Sequence, residues 1–560
     1  MKNVPLLTHR WKQKILEGEQ GWFSSGKIEW LLVAVCFLLL TPALLFNRIY
    51  PNVDLEFHYR VMVEFSGALR EGVLQPRWTP LARGGLGEPV LMHYPPLIHY
   101  LGGLLTLCGL STWMALKLLV VTGLAAASLA IRRISAPWMC PPLAALAGLT
   151  VMLSPLVLLL EFSTANIPWM AGISLGVLLM MRCMEWSPED ANKWLDPWFA
   201  LLLATLTLMH TLSGLLAISA IPFVSLARLD WFKAWRRAIV SGVTGLLLSC
   251  FYLWPALTTM RYISPVGWTG ADQYRTNFTF PLLFWLHGGT VEWPTIQVYL
   301  PALLGIGVLP LAVWMWRRRS EQATDPAWRP MAALLAAGVA TFLMTTELSL
   351  PIWKLLPQLS FMQFPWRFLY IVLMAFCTVS AYAISRRSRW AIWPVAISLL
   401  AGVGYMGKLY ASGAHVEYGR SSFEGLFGEM AAKPAVPGNA TAYRTRGGFP
   451  AECAAASAEC MELDHRSHYR RWRITSARPV TLRLPVYAYP AWGVRRNGVA
   501  TEVAPDQETG LVPVRVESGS QEVELYWSGL AEERTGRWLS LAGLALLAAG
   551  FVTWRRKSAA

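Results

Sequence analysis

Residues 30–61, which read WLLVAVCFLLLTPALLFNRIYPNVDLEFHYRV, decide the fold class of this chain. Residues 30–46 are apolar over nearly the length that a helix needs to cross a bilayer, and they lack the small-residue cleavage site of a secretory signal. Asp54, Glu56 and His58 follow directly. The stretch therefore predicts a retained spanning helix with titratable groups at its mouth.

The composition of the whole chain agrees with a membrane protein. Of 560 residues, 54% are hydrophobic and only 15% are charged, whereas soluble globular proteins carry about 25% charged residues. The 28 tryptophans fit the same class, because Trp collects at the two membrane interfaces. The net charge of +15 lies in short basic clusters between apolar runs. Such clusters are topology signals, and they exclude a continuous nucleic-acid-binding face.

Apolar runs predict about twelve spanning helices, since a span needs roughly 20 apolar residues. The candidates lie near residues 30–47, 113–131, 141–160, 167–184, 198–210, 211–227, 238–257, 296–315, 331–346, 366–384, 390–408 and 538–554. The runs 198–210 and 211–227 are nearly continuous, which predicts a tight hairpin that turns near His210. Basic residues mark every alternate connection, so both termini are predicted to be cytoplasmic.

The opposite, outer side receives two large pieces of chain. The first outer loop, residues 48–112, has balanced charge and contains the apolar stretch YPPLIHYLGGLLTLCGL. We interpret this stretch as a juxtamembrane or re-entrant helix that begins at Pro95-Pro96. Residues 409–537 form one sizeable soluble region, and residues 538–560 are predicted to supply the last span and a basic cytoplasmic tail.

Alternating patterns predict a small β-sandwich or sheet from Trp472 onward. Asn497-Gly498 is a hairpin signal, and Ser518-Gly519-Ser520 is predicted to be a turn between two strands. The apolar positions of these two strands are Val512, Val514 and Val516 in the first, and Val523, Leu525 and Trp527 in the second. Cys453 and Cys460 share this outer region, where both a disulfide and two free thiols are open alternatives.

The three titratable residues at the start of the first outer loop have two interpretations. On a helix, Asp54 and His58 lie at positions i and i+4 on one face, while Glu56 points elsewhere. Such a pair suits proton transfer from an attacking hydroxyl, with the imidazole orienting the carboxylate. The alternative is a structural helix start, in which Asn52 or Asp54 caps a solvated first turn.

Three further motifs give the chain a family resemblance. Residues 72–101 read GVLQPRWTPLARGGLGEPVLMHYPPLIHYL, residues 359–369 read LSFMQFPWRFL, and residues 487–498 read YAYPAWGVRRNG. With the spacing from Asp54 to His58, this order resembles the GT-C membrane glycosyltransferases. Within them it resembles the bacterial "6-pyruvoyl-tetrahydropterin synthase-related" membrane proteins. The resemblance implies an all-α, GT-C-like transmembrane domain over residues 1–408 and a β-rich extracytoplasmic domain over residues 409–537.

The resemblance also implies an activity, namely transfer of a sugar from a polyprenyl-phosphate carrier to an envelope glycan, lipid or protein on the outer face of the bacterial inner membrane. By this resemblance Asp54 is the general base, and His58 and Glu56 are further catalytic candidates. Arginine at the membrane boundary would stabilise the leaving phosphate. The candidate phosphate-binding residues are Arg60, Arg77, Arg83, His93, Tyr94, His210, Arg261, Arg275 and Arg367.

Other chemistry finds little support in the residues. There is no P-loop, no dinucleotide fingerprint and no His-Glu-x-x-His zinc motif, and no metal ligands are predicted. The only small molecule expected is the polyprenyl-phosphate sugar, and a requirement for a divalent metal is left open. Glu161 is a candidate second acid, because Thr164-Ala165-Asn166 stands where relatives carry one. A transporter or flippase of a lipid-linked precursor and a non-catalytic envelope scaffold are the alternative functions.

Overall fold

The protein is mostly helical, with a β-rich region near its C-terminal end. The computed structural model describes residues 27, 30–35, 38, 48–49, 55–162, 166–186, 193–225, 231–263, 273–279, 286, 300–411, 416–417, 441–502 and 504–558. The described helices are Leu55–Arg70, Ala82–Gly85, Val90–His93, Leu97–Leu107, Thr112–Ser135, Pro141–Met152, Pro155–Phe162, Ile167–Met184, Pro197–Met209, Thr211–Ser225, Trp231–Leu248, Cys250–Thr258, Gln273–Thr276, Leu300–Arg317, Trp328–Met344, Leu350–Leu355, Leu369–Ser385, Ile392–Ala411, Thr441–Thr445, Gly448–Ala455 and Ala531–Ser558.

Several of these helices are long and apolar enough to cross a membrane. Within the described residues six qualify by length and composition: Thr112–Ser135, Pro141–Leu160, Ile167–Met184, Pro365–Ser385, Arg389–Lys408 and Ala531–Thr553. A seventh is obtained if Trp235–Leu248 and Cys250–Thr258, which meet at 79°, form one bent span. The predicted count of about twelve is not confirmed, because several predicted spans are shorter helices or lie partly outside the described residues.

The helix Leu369–Ser385 lies at the centre of the helical region. Its residues from Leu369 to Ala383 are all buried, because apolar side chains surround it on every side. It packs against Trp328–Met344, Pro141–Met152 and Leu300–Arg317. Small residues allow these close contacts, as they do in other membrane bundles.

A break at His210 separates two apolar helices. The extended backbone of His210 (φ −157°, ψ 98°) ends the helix Pro197–Met209, and the helix Thr211–Ser225 begins at the next residue. Both helices pack against Ile167–Met184. The break falls at the residue where the sequence predicts a turn.

The β-rich region is a sandwich of two antiparallel sheets. Its strands are β1 (Ala458–Arg466), β2 (Tyr469–Ser476), β3 (Val480–Tyr487), β4 (Trp492–Arg496), β5 (Val499–Thr501), β6 (Leu511–Val516) and β7 (Gly519–Trp527). One sheet has the order β1-β2-β7-β4-β5, and the other pairs β3 with β6. Their inward faces share one apolar core, which contains Trp472, Leu482, Val514 and Leu525.

Two turns in this sandwich test the sequence analysis. Asn497 and Gly498 have positive φ values of 48° and 79° and join the paired strands β4 and β5, so the predicted hairpin is confirmed. The predicted turn at Ser518-Gly519-Ser520 also joins two strands. These strands belong to different sheets, because β6 pairs with β3 and β7 pairs with β2 and β4. Cys453 and Cys460 form a disulfide that ties the helix Gly448–Ala455 to β1.

Candidate functional site

The sandwich holds the first outer loop in place through Trp78. The Trp78 side chain is buried, and its ring centroid lies 5.5 Å from that of Trp492 and 5.9 Å from that of Trp527. Gly87 (φ +78°) lies directly against the Trp78 indole. The first outer loop therefore shares an apolar core with the sandwich.

Arg77 lies in the same interface. Its backbone N–H donates to Nε2 of His468 at 3.0 Å, and its Nη2 donates to the carbonyl oxygen of Phe251 at 2.7 Å. Its Nε lies 3.4 Å from Oε2 of Glu533. Arg77, a predicted phosphate-binding residue, is thus engaged by groups of the sandwich, a membrane helix and the last helix.

Arg60 and Arg83 lie close to the carboxyl groups of Glu64 and Glu88. Arg83 Nε lies 2.8 Å from Glu88 Oε2, Arg60 Nη2 lies 3.8 Å from Glu88 Oε1, and Arg60 Nε lies 4.0 Å from Glu64 Oε1. Burial raises the pKa of Glu64 to about 8. Both arginines, which the sequence predicts to bind phosphate, therefore face carboxylates of their own loop.

The start of the helix Leu55–Arg70 lies where several helix ends meet. Leu55, Ile167 and Met209 belong to one apolar cluster, which joins the beginnings of Leu55–Arg70 and Ile167–Met184 to the end of Pro197–Met209. Asp54 lies outside the described residues, and Glu56 is described only as part of the helix backbone. The meeting point is nevertheless the position at which the sequence predicts the chemistry.

A cluster of three aromatic rings, from His58, Tyr94 and His99, lines this meeting point. The ring centroid of His58 is 5.9 Å from that of Tyr94 and 6.3 Å from that of His99. Burial lowers the pKa of His58 to about 4, so its ring is neutral at pH 7. Within the described part of the chain neither ring nitrogen of His99 has a hydrogen-bond partner.

His210 and Arg367 join this cluster from two other segments. Nδ1 of His210 lies 2.7 Å from Oγ of Ser213, and both His58 and Arg367 interact electrostatically with the His210 ring. Arg367 is buried at the head of the central candidate span, where its Nη1 donates to the carbonyl oxygen of Met362 at 2.7 Å. The structure thus brings together His58 and Tyr94 of the first outer loop, His210 at the break between two helices, and Arg367 at the head of the central candidate span.

The remaining predicted residues lie elsewhere. Arg261 is exposed and forms an ion pair with Glu532 beside the last helix, and Arg275 lies 5.9 Å from the Tyr274 ring centroid. Nδ1 of His93 is 3.0 Å from the carbonyl oxygen of Ala256. Sequence reasoning missed His99, because a single histidine in an apolar run resembles a packed core residue. In the described ranges no three His, Cys, Asp or Glu side chains are grouped as metal ligands.

The chain was compared with known proteins at the level of families, curated sequences and solved structures. No family model matches it, and no curated protein matches it. Among solved structures it is similar to the arabinofuranosyltransferase AftD from Mycobacteria, with 15% identity and a TM-score of 0.44 over 71% of this chain. It is also similar to the oligosaccharyltransferase of Archaeoglobus fulgidus, with 12% identity and a TM-score of 0.38 over 77% of this chain.

The two matched proteins are, by name, an arabinofuranosyltransferase and an oligosaccharyltransferase. The chain spans 28% of the arabinofuranosyltransferase and 59% of the oligosaccharyltransferase. These identities and TM-scores are too low to transfer an activity.

Proposed function

We propose that this protein is a GT-C-type membrane glycosyltransferase that moves a sugar from a polyprenyl-phosphate carrier to an envelope acceptor. The observation that carries the proposal is the convergence of His58, Tyr94, His210 and Arg367 at the start of the helix Leu55–Arg70. The sequence predicts all four of them, two in the first outer loop and one in each of two later parts of the chain. Residues gathered in this way from separate elements are typical of a catalytic site.

In the proposed reaction, the oxygen of an acceptor hydroxyl forms a bond with the anomeric carbon of the donor sugar. The bond between that carbon and the carrier phosphate oxygen breaks, and its electron pair leaves with the polyprenyl phosphate. Asp54 takes the hydroxyl proton as general base, and a single carboxylate is sufficient for such an inverting transfer.

Arg367 is assigned to the leaving phosphate. A buried guanidinium stabilises a phosphate charge more strongly than an exposed one, because the local dielectric is low. The neutral His58 ring and the His210 ring are assigned to hydrogen bonds with the phosphate or the acceptor hydroxyl. Arg60, Arg77 and Arg83 have protein carboxylates close by and are assigned to holding the first outer loop.

The proposed topology places this site at the outer surface of the bacterial inner membrane. It has twelve spans and cytoplasmic termini, and the β-sandwich is periplasmic. The basic clusters of the cytoplasmic connections support it through the positive-inside rule.

The decisive experiment compares the wild-type protein with Asp54→Asn in nanodiscs supplied with polyprenyl-phosphate sugars and an envelope extract as acceptor. Loss of a general base lowers turnover by about 10²–10⁴-fold. The matched control is Glu508→Gln, which neutralises an exposed carboxylate of the sandwich. Equal turnover in the wild type and Asp54→Asn would remove Asp54 from the mechanism. Absence of transfer in every protein, with every polyprenyl-phosphate sugar tried, would count against the activity itself.

A further inference from the structure

The segment between Trp328–Met344 and the central candidate span has two contrasting faces. This segment, residues 347–362, is called the strap here, and it consists of Glu347–Ser349, Leu350–Leu355 and Pro357–Met362 in sequence. It has no regular element longer than six residues. Its position is therefore set by side-chain contacts and not by helix propagation.

One face of the strap is anchored to the protein through Trp353. This side chain is buried, and its ring is stacked on Tyr274 with centroids 5.2 Å apart. Phe278 meets it edge to face at 5.8 Å, and Nε1 of Trp353 donates to Oγ of Ser349 at 3.1 Å. The contacts fix the orientation of the strap, and so they decide which side chains point away from the protein.

The other face is apolar and exposed. Leu348 and Leu355 are each 79% exposed, and Ile352 and Leu356 are exposed as well. Ile352 and Leu355 lie on the short helix Leu350–Leu355, and Leu348 and Leu356 flank it on either side. The patch extends toward Leu343, which is exposed at the end of the neighbouring apolar helix. A contiguous apolar patch of this kind indicates an interaction with a membrane or a protein.

We propose that the strap inserts its exposed apolar face into the leaflet of the bilayer that lies on the side of the sandwich. The exposed face of the strap continues the surface of the apolar helix Trp328–Met344, which packs on the central candidate span. This continuity with a membrane-embedded surface favours lipid over a protein partner. Lys354 is exposed beside the patch and is suited to reach the phosphates of the lipid headgroups. Two candidate spans, Pro365–Ser385 and Arg389–Lys408, separate the strap from the sandwich, so an even number of crossings puts both on the same side.

The strap is also connected to the candidate site. Its last residue, Met362, offers the carbonyl oxygen that accepts from Nη1 of Arg367. The next residue, Gln363, has a positive φ of 57° and directs the chain from the strap into the head of the span. Insertion of the strap would therefore set the depth of Arg367 relative to the headgroups. This inference rests on the membrane assignment and does not depend on sugar transfer.

Photocrosslinking in nanodiscs tests the inference. The full-length protein carries p-benzoylphenylalanine at position 355, the nanodiscs contain only phosphatidylcholine and phosphatidylglycerol, and intact-protein mass spectrometry counts phospholipid adducts after irradiation. Position 544, an exposed leucine of the last candidate span, is the lipid-facing control. Position 508, an exposed glutamate of the sandwich, is the control in water.

We expect adducts from position 355 to reach at least half the yield of position 544 and at least ten times the yield of position 508. A yield at position 355 equal to that at position 508 would overturn the inference, as would crosslinking to a second protein chain in place of lipid. Position 348, which is equally exposed, provides a second site if the substitution at 355 prevents folding. None of these outcomes depends on activity, so failure of the insertion and failure of the proposed reaction are distinguishable.

Discussion

Gly87→Ala is expected to release the first outer loop from the sandwich. A Cβ at this position would overlap the Trp78 indole and lie 2.5 Å from its Cε2. Two terms add. A left-handed φ, here +78°, costs a non-glycine residue about 1–2 kcal/mol, and overpacking of a close contact costs about 1–3 kcal/mol.

Gly72→Ala is a matched control for this substitution. Gly72 also has a positive φ, +85°, but nothing lies within 4 Å of the added Cβ. Gly72→Ala therefore incurs only the cost of the left-handed φ and no overpacking cost. The difference between the two variants isolates the Trp78 contact, and about 1–3 kcal/mol corresponds to roughly a 5- to 150-fold change in the population of the open state.

The peptide bond between Arg77 and Trp78 provides a direct assay. Trypsin cleaves after arginine, and both residues are buried while the loop is docked. When opening is fast, the cleavage rate follows the population of the open form. We expect this bond to be cut 5- to 150-fold faster in Gly87→Ala than in Gly72→Ala, as measured by the mass of the fragments.

A double-mutant cycle completes the test. In a Trp78→Ala background the overlap has been removed, so Gly87→Ala should add only its backbone cost. Equal cleavage rates in Gly87→Ala and Gly72→Ala would refute the docking role of Trp78. So would full additivity of Gly87→Ala with Trp78→Ala.

Three further predictions concern the docking interface, the sandwich and the candidate site. Burial, with a smaller effect from Arg77, lowers the pKa of His468 to about 4. Docking of the first outer loop on the sandwich should therefore be complete above pH 6.5 and weaken as the pH falls toward 4. The apparent unfolding temperature should show this loss in the wild type and not in His468→Gln. Replacing Cys453 and Cys460 by serine should lower the free energy of unfolding of the sandwich by about 2–3 kcal/mol, since the disulfide closes a short loop. An unfolding temperature of the wild type that does not change when a reductant is added would contradict this. Arg367→Lys should lower sugar transfer about 10²-fold while the exposed Arg478→Lys does not, and equal rates would exclude Arg367 from phosphate binding.

The features that the sequence predicts best are local ones. Asn497-Gly498 tolerates positive φ at two successive positions, so the hairpin between β4 and β5 follows from two residues. Pro95-Pro96 precedes the helix Leu97–Leu107, as expected for proline at a helix start. The polar interruption at His210 likewise falls at a break between helices.

The features that it predicts poorly depend on partners far away in the chain. The turn at residues 518–520 gives no sign of which strands pair, because the inward valines of β6 suit a hairpin and a sandwich equally well. From the sequence, Arg77 and Arg261 are interpreted as phosphate ligands. In the fold they pair with Glu533 and Glu532 of the last helix, which the sequence around the arginines does not reveal. His99 is the reverse case, since only its position beside His58 distinguishes it from a packed core residue.

The core shared by Trp78, Trp492 and Trp527 has a consequence for the order of events during synthesis. The first outer loop emerges from the ribosome long before the strands that cover it, and in the proposed topology it waits on the far side of the membrane with its tryptophan uncovered. A chain released before β7 has been translated would retain most of its membrane helices but not an anchored first loop. Quality-control proteases would therefore meet an exposed Arg77–Trp78 bond in every unfinished copy, and a buried one in every finished copy.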